Sequence, residues 1–372
     1  MSLLVLNAGS SNLKLRLFDD AARVELAFSQ FEWPTDRRRT IEQIQSALEK
    51  HTGKGDAVRA VGHRVVHGGE RFHESVRIDA EVKSAIARLA ELAPLHNPAA
   101  LEGVEVAESA WPGVPQVAVF DTSLFARLLP RAFLYPVPYD WYTRWGVRRF
   151  GFHGISHAYC ADRAAELLKR NLGELRLITC HLGNGCSATA LRDGIAVTTS
   201  MGFTPMDGLM MGTRPGSVDP GLLVHVLKQG GLSVEQLDDT LNHQSGLLGV
   251  SGISSDFREV EAAAKDGNER ARLALAIYAD RVRFIVGAFA ATLGGVNVLV
   301  FTAGVGENSA SLRAEVCSGL ECLGLRLDPA RNQSCQPDAD IADDGSTGRI
   351  LVLHTREEQR IAEETRRLVL TA

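Results

Sequence analysis

Leu3-Leu4-Val5-Leu6 is an unbroken apolar run, the mark of a strand covered on both faces. Asn7 to Asn12 is made of turn formers. Beyond it Leu13, Leu15 and Leu17 alternate with Lys14 and Arg16, which predicts a second strand and hence a β-hairpin with a polar, Gly-containing tip. The same arrangement returns near residue 176: an apolar run from Leu175 to Cys180, a polar turn from Gly183 to Ser187, then Ala188 to Leu191 and Ile195 to Val197. That interval is too long for a solenoid repeat and predicts two related halves. Val298 to Phe301, followed by Thr302-Ala303-Gly304, is a third strand leading to a glycine turn. Helical spacing appears at Val82, Ile86, Leu89 and Ala93, stopped by Pro94, and at Ala161, Ala164, Ala165 and Leu168. Ser233-x-x-Gln236 is a capping-box signal for a helix from about Val234. Asn268 to about Leu293 reads as a long, mostly buried helix.

The 372 residues exceed one ordinary core, so two domains are expected, with the boundary between Tyr139 and Phe150. The predicted division is 1–148 and 149–354. Net charge is -5 and the basic residues are spread out, which gives nucleic-acid binding no electrostatic support. Arg37-Arg38-Arg39 reads as a solvated face. No apolar run approaches the roughly 18 residues of a membrane span, and the first residues lack a secretory signal. The six cysteines form no C-x-x-C pair and read as reduced thiols. The expectation is a soluble, cytoplasmic protein with neither nucleic acid nor membrane as partner.

Islands of Gly, Asn, His, Arg and carboxylates follow the apolar runs. They are Asn7–Lys14, Gly62–Gly69, Phe120–Thr122, Phe150–His157, His181–Gly185, Met211–Arg214 and Ala303–Asn308. One island alone reads as a tight turn. A set spread over the whole chain implies a single site built from many loops, with residue types suited to phosphates, a divalent metal and a small anion.

These islands, with Ala93-Pro94-Leu95-His96-Asn97-Pro98 and Phe301–Asn308, resemble the motifs of the acetate kinase family, in order along essentially the whole chain. The resemblance implies an α/β chain with the duplicated fold of actin, hexokinase and the heat-shock chaperone ATPases, two domains around a nucleotide cleft, and a C-terminal helix (355–372) packed back on the first domain. It implies reversible transfer of the ATP γ-phosphoryl to acetate with Mg²⁺ or Mn²⁺, giving acetyl phosphate and ADP, in a homodimer. The chain departs from the family pattern at Asn12, at Ser123-Leu124-Phe125, at Pro215 and Ser217, and at His354-Thr355-Arg356.

A carboxylate substrate is already ionised at neutral pH and needs no general base. The difficulty is a small anion approaching a polyanion, so the site must cancel charge and align the reactants in line. By the resemblance, Arg64, Asp121, His153 and Arg214 are catalytic, and a guanidinium suits carboxylate or phosphoryl oxygens. Val66, Leu95, Phe152 and Pro205, with Arg64, would hold the acid. Lys14, His181, Gly183, Asn184, Gly185, Asp256, Phe257, Arg258, Gly304, Gly306 and Asn308 would hold the nucleotide. Asn7 and Glu357 would complete a metal shell with Asp121. Each residue taken singly also has a plain structural reading: surface ion pair, hydrogen-bonded histidine, turn-forming Asp, core residue. His67 and His96 are expected to be structural as readily as functional.

Three alternatives stay open. A propionate- or butyrate-preferring kinase would share the chemistry, because such a pocket distinguishes one methylene by only about 1–3 kcal/mol. A non-kinase ATPase of the same fold would have no need of the Arg64 and Arg214 pair. A dehydrogenase reading of Gly304-Val305-Gly306 lacks the third glycine of the dinucleotide fingerprint.

Overall fold

The computed structural model describes residues 2–8, 12–32, 42, 58–94 and 96–370. Contacts divide the chain into two units. The first comprises residues 1–126, 152–159 and 356–372, and the second residues 127–151 and 160–355.

Each unit is built on a six-stranded sheet, and the two sheets share one plan. In the first, β1 (Ser2–Ala8), β2 (Asn12–Asp19) and β3 (Glu25–Glu32) form an antiparallel meander. β4 (Val58–Val65) and β6 (Gln116–Phe120) extend it in parallel, and β5 (Val76–Arg77) closes the edge antiparallel to β6. The order is β3-β2-β1-β4-β6-β5. In the second, β7 (Arg176–Leu182), β8 (Cys186–Arg192) and β9 (Ile195–Thr199) form the meander. β10 (Val298–Thr302) and β12 (Arg349–Val352) run parallel to β7, and β11 (Ala339–Asp340) lies antiparallel at the edge. Read from its meander, that order is β9-β8-β7-β10-β12-β11, the first sheet repeated. The duplicated fold expected from the sequence is therefore present, and both predicted hairpins form at β1/β2 and β7/β8.

β1 shows why its pattern is unbroken. Leu3 and Val5 pack with Val117, Val119, Ile361 and Ala362 on one face, while Leu4, Leu6 and Ala8 pack with Leu13, Leu15, Leu17, Val106 and Ala107 on the other. One face is covered by the helix Glu357–Leu370 and the other by the helix Asn97–Ala110. Close approach of the C-terminal helix depends on Gly62 in β4, where an added Cβ would lie 2.2 Å from Thr365 Oγ1 and 2.8 Å from Ile361 Cγ2.

In the second unit the long predicted helix is Glu269–Leu293, capped by the Asn268 side chain and ended by Gly294 in the left-handed region. It packs on β7 and β8 through buried residues that include Tyr278, Val282 and Val286. The Ser233 capping box forms as read, with both reciprocal bonds. Two local expectations change. The helix with Val82 and Ile86 spans Ala80–Arg88 and passes into a short 3₁₀ turn at Leu89–Glu91 before Pro94. The glycine turn after β10 is itself a helix, Ala303–Asn308, entered through Ala303 at φ 65°.

His63 of β4 is buried, with Nε2 2.6 Å from Gln116 Oε1. Burial lowers its pKa from 6.5 to about 4, against a smaller raising effect of the Gln116 bond. The unfolded chain therefore takes up this proton first as pH falls. The stabilisation is whole above the unfolded pKa and is lost as pH drops toward the folded one. Between about pH 7.5 and about pH 5.5, urea unfolding should show about 1 kcal/mol of this loss, and His63→Gln should lack that component. An identical pH slope in the variant would refute the buried neutral histidine.

Candidate active site

In the first unit, β4 and β6 run in parallel and deliver Arg64 and Asp121 side by side. Arg64 grips Asp121 Oδ2 with two donors, Nε at 3.1 Å and Nη2 at 2.6 Å, the fork geometry that only arginine offers. Its Nη1 lies 3.5 Å from Asn7 Oδ1, and Asn7 Nδ2 donates to Glu358 Oε1 at 3.2 Å. Burial works to lower the Arg64 pKa, but the charges of Asp121, Glu357 and Glu358 outweigh it and raise it. Glu357 sits in the same field. Burial raises its carboxyl to about 7, aided by the like charges of Asp121 and Glu358 and opposed by Arg64 and Lys14. The structure thus brings Asn7, Arg64, Asp121 and Glu357 together, with Lys14 of β2 close enough to act on Glu357. Glu358, which sequence reasoning passed over, joins them. The doubled acid in Thr355-Arg356-Glu357-Glu358 was the available signal.

Asp121 Oδ1 is buried and has no hydrogen-bond partner. A buried orphaned carboxylate oxygen is costly unless a cation or donor reaches it. Among the described residues no cluster of three or more His, Cys, Asp or Glu has metal-binding geometry. One free carboxylate oxygen with a neighbouring acid and an amide suits Mg²⁺, which binds few protein carboxylates and keeps waters. The donor set fits that ion.

His153 adopts φ 57°, a left-handed conformation rare outside glycine and typical of functional positions. The next residue explains the Gly-Phe-His-Gly motif. Gly154 N donates to Asp121 O at 3.0 Å, and an added Cβ would come within 2.1 Å of that oxygen. His153 is thus anchored one residue from the Asp121 backbone. Phe152 is 1% exposed and meets the His67 ring edge-on, with centroids 5.5 Å apart; Val66 is buried beside His67. His67 Nδ1 accepts the Gly69 N–H, so its proton resides on Nε2, and Asn97 pins its backbone from both sides. Leu95 lies outside the described residues.

In the second unit a cleft of about 670 Å³ is lined by Gly183, Asn184, Asp256, Phe257, Arg258, Gly304 and Asn308, all named from sequence. Leu247, Ser255, Glu261, Val305 and Ser309 complete it and were missed. Glu261 follows Phe257 by one helical turn, a spacing that would have disclosed it. His181 is the penultimate residue of β7, and Gly185 closes the β7/β8 turn by accepting Gly183 N–H at 3.1 Å, but neither lines the cleft. Gly306 is buried against Phe301 and Leu182. Asp256 caps the helix Phe257–Lys265 and pairs with Arg258 at 2.6 Å. Beneath the Gly183 turn, burial pushes the Cys186 thiol up to about 11, which rules it out as a nucleophile at neutral pH.

Arg214 belongs to this unit too. The Met211–Arg214 island is held to the β7/β8 turn by Gly212 N, which donates to Asn184 O at 3.0 Å. Arg214 Nη1 donates to Pro205 O at 2.7 Å. Burial lowers the Arg214 pKa, and among the described residues no carboxylate pairs with it. A half-buried guanidinium without a counter-ion is chemically prepared for an external anion.

The comparisons agree with the islands. The Acetokinase family model matches residues 29–363. The acetate kinase of Cyanothece sp. is 48% identical, with 100% of this chain and 99% of that protein covered. The crystal structure of Porphyromonas gingivalis acetate kinase superposes with a TM-score of 0.92 at 41% identity, covering 98% of each chain. A propionate kinase from Francisella tularensis superposes at 0.91 with 37% identity, covering 99% of this chain and 100% of that one. With both sheets, the motif residues and full-length relatives in agreement, the chain belongs to the acetokinase family.

Proposed function

We propose that this protein transfers the γ-phosphoryl of ATP reversibly to acetate. A carboxylate oxygen of acetate attacks the γ-phosphorus, the bond to the β,γ-bridging oxygen breaks, and acetyl phosphate and ADP leave. No proton moves. The observation that carries this reading is Arg214, a half-buried cation with no protein carboxylate beside it among the described residues. A carboxylate acceptor brings a second anion to the phosphoryl, and a guanidinium left open in this way would receive it.

Arg214 and Arg64 would compensate the charge of acid and phosphoryl, and His153, fixed by its strained backbone, would donate to the phosphoryl oxygens. Val66, Phe152 and Pro205 would form the apolar wall for the methyl group. The second unit is read as the nucleotide-binding domain, with Gly183 and Asn184 toward phosphates and the Asp256 and Gly304 segments toward adenosine. Asp121 and Glu357, with Asn7, would hold Mg²⁺ or Mn²⁺, which when bound neutralises the β- and γ-phosphoryl oxygens. A homodimer is supported by Leu273 and Phe284, 54% and 71% exposed on the helix Glu269–Leu293 and on one side of it by spacing. The cytoplasm is the expected compartment.

The test is acyl phosphate formation with ATP, Mg²⁺ and acetate, propionate, butyrate or no acid, on protein whose mass is measured in solution. Turnover should be highest with acetate, near zero without acid, abolished by excess chelator, and due to a dimer. ATP loss independent of acid would overturn the reading. A maximum with propionate would keep the mechanism and change the substrate.

A further inference from the structure

The segment 200–217 carries both Pro205 and Arg214, and it is tied at its start, middle and end to one carboxylate hub. At the start, Arg149 Nη1 donates to the carbonyls of Thr199, Ser200 and Met201 at 3.1, 2.8 and 2.8 Å. The same nitrogen lies 3.4 Å from Asp207 Oδ2. In the middle, Asp207 Oδ1 accepts the Gly208 N–H at 2.8 Å. At the end, the Ser217 hydroxyl donates to Asp207 Oδ1 at 2.6 Å, accepts from Gly208 N at 3.1 Å, and Ser217 N donates to Gly208 O at 3.0 Å. Tyr135 adds a strut: its hydroxyl accepts Phe203 N–H at 2.9 Å and stands 3.5 Å from Asp207 Oδ2.

The loop leaves no slack around this hub. An added Cβ at Gly202 would meet Tyr135 Oη at 2.1 Å and Asp207 Oδ2 at 2.6 Å, and one at Gly216 would meet Gly208 O at 2.4 Å. Asp207 stands two residues after Pro205, whose carbonyl holds the Arg214 head, and is bonded to Ser217, three residues after Arg214. It therefore fixes both the rest on which the guanidinium lies and the base from which the side chain springs. Ser217 is one of the departures from the family pattern. Its hydroxyl donates to Asp207, which an ionised acid at 217 has no proton to do.

We infer that Asp207, held by Arg149 and Ser217, is the positioning residue for Arg214. Asp207 touches neither the acid nor the phosphoryl; it acts by holding Arg214 in one geometry. A displacement of about 1 Å in such a group costs on the order of 100-fold in rate. The inference rests on the reading of Arg214 as the anion-binding cation.

Steady-state kinetics of Asp207→Ala, Asp207→Glu, Ser217→Ala, Arg214→Ala and the Asp207→Ala/Arg214→Ala double variant test it, with hydrogen exchange over 203–217 read in parallel. Asp207→Ala should lower kcat/KM for acetate by about 30-fold while KM for ATP stays within about twofold. Asp207→Glu, which keeps the charge, should recover to within about threefold of the parent, and Ser217→Ala should shift in the same direction as Asp207→Ala by less. In the Arg214→Ala background, loss of Asp207 should add less than about twofold, because its effect passes through that arginine. Exchange over 203–217 should quicken in Asp207→Ala. An equal loss in both backgrounds, a matching rise in KM for ATP, or unchanged exchange would each overturn the positioning role. Parent-like turnover of Arg214→Ala would instead overturn the functional reading, leaving the exchange result to judge the positioning.

Discussion

Arg214→Ala should lower kcat by about a thousandfold and leave the thermal midpoint unchanged or raised. The first half follows from removing the cation proposed to face transition-state charge. The second follows from its surroundings. Among the described residues its guanidinium bonds to a single carbonyl, that of Pro205, and burial penalises its charge. Deleting an uncompensated, partly buried charge relieves a desolvation cost. Initial rates with a coupled assay and a melting curve on the same preparation decide it. A variant that loses stability in step with activity would show that Arg214 belongs to the scaffold, and the anion-site assignment would fall.

Asp121→Ala should behave in the opposite way on stability. It too should lose about a thousandfold or more in kcat, since the carboxylate proposed to face the metal is gone. It also strips Arg64 of the carboxylate oxygen that accepts two of its donors, at 3.1 and 2.6 Å. Breaking a buried ion pair from one side costs about 3–5 kcal/mol, and Glu357 and Glu358 compensate Arg64 only in part, so about 3 kcal/mol is expected in urea unfolding. Mg²⁺ supplies a second readout. Added Mg²⁺ should stabilise the parent and do nothing for Asp121→Ala, as linkage requires of a lost ligand. Equal stabilisation of both proteins would remove Asp121 from the metal shell. Arg64 and Arg214 thus differ in kind. One cation is neutralised inside the protein and tied to stability, and the other is kept open.

What could be read in advance was local. The alternation of Leu13, Leu15 and Leu17 with Lys14 and Arg16 is a property of adjacent positions, and β2 obeys it. The Ser233 capping box and the Asn268 cap depend on atoms three residues away, and both form. The unbroken run of β1 told that two faces were covered but not by what. Its covers arrive from residues 97–110 and 357–370. The same limit applies to the site. Arg64, Asp121 and Asn184 announced themselves by residue type after a strand. Asp207 did not, because its meaning lies in Arg149, Tyr135 and Ser217, separated from it by 58, 72 and 10 positions. The sequence of Ala303–Asn308 reads as a glycine turn after a strand, and its two glycines do disfavour helix. Glu307 reverses that preference by folding back so that Oε1 accepts Ala303 N–H at 2.9 Å, capping its own helix.

The three-part make-up of the first unit bears on how the chain acquires its structure. Its meander is made well before Ile361 and Ala362, which seal one face of β1. A nascent chain would carry that face of β1 uncovered, with Leu3 and Val5 in water, while the whole of the second unit emerges. The second unit needs nothing from residues 357–370 for its sheet and can form earlier. Closure of the first unit waits for the helix Glu357–Leu370, and it joins contacts about 350 residues apart, the kind that slow folding and invite holding by chaperones. The helix that carries Glu357 is the same helix that completes this core. Packing of that helix on β1 and placement of Glu357 are therefore one event, and a chain that lacks the first lacks the second.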